Sequence, residues 1–100
     1  MPQRLFAAFV HRAEAWDHSL PPQEQTGFSG HAQFVGELEA SGFIAMAGLM
    51  QPSNDVLFIF RAESEAAVRR RMAADPWQRD RHARLGRVEE VQFRIGAPGG

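Results

Sequence analysis

One hundred residues, a net charge of −1 and 44% apolar side chains suffice for one self-supporting domain and are too few for two. The chain has no cysteine, and all eleven of its basic side chains are arginine; this excludes disulfide scaffolds, thiolate nucleophiles, Cys-ligated zinc and lysine Schiff bases. The near-neutral balance provides no field to hold nucleic acid or an anionic membrane surface, and the N-terminal apolar run Leu5 to Val10 falls far short of the ~20 residues needed to span a bilayer. The chain is therefore expected to be cytoplasmic, with neither nucleic acid nor membrane as a partner.

In chain order, residues 4–10 read as a first strand, bounded by polar residues. A polar stretch from His11 to Gln25 follows, interrupted by Pro21-Pro22. A first helix is predicted from about Glu24 to Ser41, ended by Gly42, with Phe28, His31, Val35 and Leu38 along one face. Phe43 to Met50 reads as a second strand, Gln51 to Asp55 as a turn, and Val56 to Arg61 as a third strand. Ser64 can cap a second helix from Glu65 to about Ala74, stopped by Asp75-Pro76. A basic connection, Gln78 to Arg87, leads to a last strand at Val88 to Ile95 and a frayed tail at residues 96–100. The segments His11 to Gln25 and Gln78 to Arg87 are expected to form the mobile rim of any pocket.

The order βαββαβ predicts an α+β, ferredoxin-like fold: a four-stranded antiparallel sheet with two helices on one face. Strand three carries Val56, Phe58 and Phe60 on one side and Leu57 and Ile59 on the other, and strands one and two are likewise apolar on both sides. Two helices cover only one face, so the other predicts a homodimer joined sheet to sheet. Strand four, with Val91, Phe93 and Ile95 alternating against Glu90, Gln92 and Arg94, reads as a half-solvated edge.

His31 carries the most information, because helical spacing places it in the middle of the apolar stripe. Its ring is either a buried imidazole satisfied by a backbone carbonyl or a general acid or base. Asp75 sits at the predicted end of the second helix, facing the negative pole of the dipole. There it is either a solvated stop softened by Arg69 to Arg71 or a carboxylate that orients a histidine. His11 leaves strand one at the end where the first helix begins, which could bring it near His31. No two histidines have the i, i+4 spacing of a metal motif, so a metal is not expected.

Taken in order, His31-Ala-Gln-Phe34, Leu38, Gly42, Ala47-Gly48, the apolar strand Val56 to Phe60, Ala62-Glu-Ser64 and Ala73-Ala-Asp75-Pro76-Trp77 resemble the YciI-like (YCII-related) proteins over roughly residues 28–95. The resemblance implies a ferredoxin-like subunit of the dimeric α+β barrel type with a central histidine and aspartate, matched here by His31 and Asp75. The chain differs from that pattern in three places. It has His11-Arg12 where many members carry an acidic residue, Leu49 where they have proline after Ala-Gly, and a longer, more basic connection after Trp77.

Two functions follow as expectations. One is a small-molecule enzyme doing isomerase- or lyase-like acid–base chemistry without a cofactor, with His31 and Asp75 catalytic and His11, Arg12, Phe28, Phe34 and Trp77 contacting substrate. The other is a non-catalytic ligand-binding or assembly module in which His31 is structural.

Overall fold

The central pair of strands is the most apolar part of the chain, and in a computed structural model describing residues 3–96 it forms the middle of a single sheet. Strand β1 (Arg4–Arg12) lies antiparallel to β3 (Val56–Ala62), with Phe6 opposite Phe60 and Val10 opposite Val56. Strand β2 (Ile44–Leu49) flanks β3 and β4 (Ala83–Glu90) flanks β1, giving the order β2-β3-β1-β4 with every pairing antiparallel. Helices α1 (Phe28–Ala40), α2 (Glu65–Met72) and the single turn α3 (Pro76–Arg79) complete an α+β, ferredoxin-like fold.

Alternation along the strands decides which face is covered. Phe6, Ala8 and Val10 of β1 and Phe58, Phe60 and Ala62 of β3 are buried in one cluster with Leu38 of α1, Val68 and Met72 of α2, and Trp77 of α3. Each large side chain buried there contributes about 1.5 to 3 kcal/mol. Leu5, Ala7 and Phe9, the alternate residues of β1, point the other way and are only half-buried.

The helix boundaries follow from local chemistry. Gly42 takes φ 84°, a left-handed conformation that ends α1 as predicted. The Ser64 hydroxyl accepts from the Ala67 N–H at 3.0 Å and caps α2, whose last turn carries Arg69, Arg70 and Arg71 against the negative pole. The first helix begins later than predicted, because Pro22–Glu24 form a separate 3₁₀ turn and Gly27, at φ 80°, breaks the chain before Phe28.

Hydrogen bonds tie the loop ahead of α1 to itself and to the segment before β4. Gln25, buried, donates through Nε2 to the carbonyls of Asp17 (2.7 Å) and Leu20 (3.0 Å) and accepts the Asp17 N–H at 2.9 Å. Ala13 and Ala15 donate to the carbonyls of His82 (3.0 Å) and Arg81 (2.9 Å), extending the β1–β4 pairing past the strand ends.

The last strand is displaced from its predicted position. It runs over Ala83–Glu90, and the segment with the regular alternation lies beyond it, with Ile95 91% exposed. Ala83, Leu85 and Val88 are the residues of β4 packed in or against the core, and a bulge between the Val10–Leu85 and Ala8–Val88 pairs breaks their period of two. A second bulge, between Ile44 and Met46, sends Met46 to the uncovered face while Ile44 and Ala47 stay opposite Phe60 and Phe58. Most of the predicted tail, residues 97–100, lies outside the described residues. No described helix is long and apolar enough to cross a membrane.

Candidate active site

Leu38 alone is fully buried in α1, although the apolar stripe predicted a closely packed face. The stripe does face inward, and His31 and Val35 help to roof a cavity of about 240 Å³. Its floor includes Val10, Ala47, Val56 and Phe58 from three strands, and its wall includes Met72, Asp75 and Trp77. Larger hollows exist, one of about 300 Å³ beside Arg61 and Arg71 and one of about 420 Å³ beside Trp16 and Asp55. The smaller cavity is the one in which a histidine–carboxylate pair meets an apolar lining, the combination that makes a binding site chemically capable.

Asp75 holds its place through the backbone. The residue before a proline is driven to extended geometry, and Asp75 at φ −65° and ψ 126° becomes the N-cap of α3, with Pro76 as the first helical residue. Its Oδ1 accepts the Trp77 N–H at 3.0 Å. The expectation that Asp75 faces the negative end of a helix dipole is thus corrected: α2 has ended at Met72, and the carboxylate caps the positive end of the next helix.

The same carboxylate meets His31. Nδ1 of His31 lies 2.9 Å from Asp75 Oδ2 and 3.0 Å from Oδ1. The Asp75 side chain is 3% exposed and that of His31 20%. An ionised carboxylate only accepts, so the proton between the two belongs to Nδ1; in the neutral ring the lone pair is then on Nε2, which has no partner among the described residues. Trp77 fixes the plane of the ring, stacking on it at 3.8 Å and 11° while donating its indole N–H to the Thr26 carbonyl at 2.9 Å. The result is an oriented imidazole at the wall of an apolar chamber.

The tautomer is directly measurable. Long-range ¹H–¹⁵N NMR should find the proton of neutral His31 on Nδ1. In Asp75→Asn the amide NH₂ would replace Oδ2 against that N–H and drive the proton to Nε2, while asparagine still caps α3. An Nε2–H tautomer in the parent protein would contradict this arrangement.

Of the residues singled out from the sequence, His31, Asp75, Arg12 and Trp77 meet at the cavity. His11 does not: alternation along β1 turns it to the uncovered face, where its Nδ1 lies 3.1 Å from Asp55 Oδ2 and its ring rests against Gly86. Phe28 packs at a tilt on Trp77 with centroids 6.0 Å apart, and Phe34 packs against the core; neither lines the cavity. Trp16 escaped the sequence reading. It sets its edge on Trp77 at 5.3 Å and carries the Arg12 guanidinium over its face at 3.9 Å. Its only sequence signal was a large aromatic in an otherwise polar loop. His82, read as part of a basic loop, is buried and holds Asp80 Oδ1 at 2.7 Å from its Nδ1. Among the described residues, no group of three or more His, Asp or Glu could hold a metal ion.

No family model, curated protein or solved structure matches the chain.

Proposed function

We propose that the protein is a small-molecule enzyme of the YciI-like type that moves a proton on a carbon acid without a cofactor, in isomerase- or lyase-like chemistry. His31 Nε2 takes and returns the proton, and Asp75 is the positioning residue that fixes its tautomer and stabilises the imidazolium that forms. One observation carries this reading: a buried, backbone-anchored carboxylate aligned on a histidine whose other nitrogen has no protein partner, at the wall of an apolar cavity. The apolar lining raises the worth of every charge interaction inside it.

The test needs no known substrate. Small enolisable carbonyl compounds in D₂O should lose their α-protons to solvent in the presence of the protein, as read by ¹H NMR, and the loss should depend on His31. Washout that His31→Gln leaves unchanged, or no washout from any compound, would sink the reading in favour of a non-catalytic binding module.

The same proposal takes the working unit to be a cytoplasmic homodimer paired through the uncovered sheet face. Phe9 and Leu57 stand half-buried there and Met46 is 47% exposed, an apolar surface of the kind that a second copy covers. Sedimentation at micromolar concentration should show a species of twice the 11.2 kDa chain mass. Introducing a charge with Leu57→Arg should shift it to the monomer, and a parent protein that sediments as a monomer would refute the pairing.

A further inference from the structure

Arginines of this chain commonly find acids: Arg4, Arg69, Arg81 and Arg87 each pair with a glutamate on the surface. Arg12 is more buried than these and pairs with none. Its Nε is sealed from solvent with no acceptor, a condition shared among the described residues only with Gln78 Nε2. The acid that acts on it, Asp55, gives its carboxylate to His11 at 3.1 Å instead. A buried donor left unpaired costs about 1 to 3 kcal/mol, more than a typical hydrogen bond contributes, so one beside a cavity asks what could pair the group that carries it.

The position of Arg12 indicates the answer. Alternation puts it on the same side of the sheet as Val10, toward α1, and it lines both the chamber of His31 and the adjoining cleft beside Trp16 and Asp55. Trp16 covers a flat face of the guanidinium, and with Nε closed to solvent a ligand would take the terminal Nη nitrogens. Trp16 also touches Trp77, and Trp77 stacks on His31, so cation and base stand on one continuous aromatic wall. Burial pulls the guanidinium below its ordinary pKa, with Asp55 opposing, yet an arginine stays charged.

We propose that Arg12 is the anchor for the carboxylate of the substrate, so that the cavity beneath α1 takes small monocarboxylates with an apolar body. This rests on the acid–base reading for what happens to the ligand, though not for its binding. The apolar floor of Val10, Val56 and Phe58 suits a hydrocarbon or aromatic body. A second carboxylate on the ligand would face Asp75 and the apolar lining with no cation to meet it, which selects a single charge. The planar fork of a guanidinium suits two oxygens at once, and that geometry distinguishes a carboxylate from a neutral amide of the same shape.

The probes are benzoate and its neutral isostere benzamide, titrated by ¹⁵N-edited NMR into the full chain. Benzoate should bind about tenfold or more tightly than benzamide, shifting the amides of Val10, Ala47 and Val56. Arg12→Gln should abolish that preference, and Arg12→Lys should keep part of it. Three results would overturn the proposal: equal affinity for the two probes, a preference that survives in folded Arg12→Gln, or no binding of either at millimolar concentration. Should Arg12→Gln not fold, the comparison in the parent protein and in Arg12→Lys decides. The benzoate preference should persist in His31→Gln, so a failure of proton washout with the preference intact removes the acid–base reading alone, and the converse removes the anchor alone.

Discussion

Replacing Trp77 with alanine should cost about 3 to 5 kcal/mol of folding stability, among the largest losses expected from a single truncation in this chain. The ring is 2% exposed and touches four others, those of Trp16, Phe28, His31 and His82. Its removal would enlarge a cavity that already exists beneath α1, and neighbours that roof a hollow have little to collapse onto. The indole N–H tie to Thr26, which holds the chain just ahead of α1, would go with it. Against a typical total of about 5 to 15 kcal/mol for a domain, the variant would sit near the edge of folding. Trp77→Phe keeps a flat ring under His31 and loses the N–H, so about 1 to 2 kcal/mol is expected. Urea denaturation measures both, and a loss below about 1 kcal/mol for Trp77→Ala would mean that the aromatic wall carries little of the fold.

The element order was legible because each element announces itself locally. Gly42 ends α1 and Ser64 starts α2 by the chemistry for which those residues are chosen, and β1 and β3 are apolar runs of strand length. The last strand was not legible, for a definite physical reason. The run Val91 to Ile95 alternates more regularly than Ala83 to Val88, but β1 needs inward-facing partners opposite Val10 and Ala8, and Leu85 and Val88 fill those places across a bulge. A bulge inserts a residue and erases the period on which a sequence reading depends. The bulge in β2 breaks the period in the same way, at Met46.

The site was half legible. Helical spacing alone put His31 on the inner stripe of α1, since 100° per residue is a strong constraint over a helix of that length. Asp75 was found through the proline that follows it, and its carboxylate does meet a histidine; what was missed is that it caps a helix, because that one-turn helix is too short to show a period. Arg12 and His11 are adjacent in sequence and opposite in placement for the reason that makes strands readable, because neighbours point to opposite faces. Which of the two faced the helices depended on the register of β1, and that is set by its pairing with β3. Gln25 gives no such signal, since nothing in the sequence marks a glutamine that will be buried to tie a loop through three hydrogen bonds.

His31→Gln should separate activity from folding. The glutamine amide is flat, can lie on Trp77, and can donate to Asp75 as Nδ1–H does in the parent, so the buried carboxylate keeps a partner. Stability should therefore change by no more than about 1 kcal/mol, because the severe penalty belongs to a buried charge left alone. An amide has no basic nitrogen, so proton washout from a responsive carbonyl compound should fall by the ~10² to 10⁴ expected for a lost general base. Asp75→Asn should act through His31: it spares the cap of α3 but sets the wrong tautomer, lowering the rate while the affinity for a bound carboxylate stays within about twofold, since Arg12 is untouched. A structural histidine gives the opposite pattern. His31→Gln would then lower stability by about 1 to 3 kcal/mol through imperfect pairing with Asp75, and the parent protein would show no washout to lose. Urea denaturation and the washout rate, measured on the same two variants, distinguish these outcomes, because a general base moves the rate without the stability and a core residue moves the stability alone.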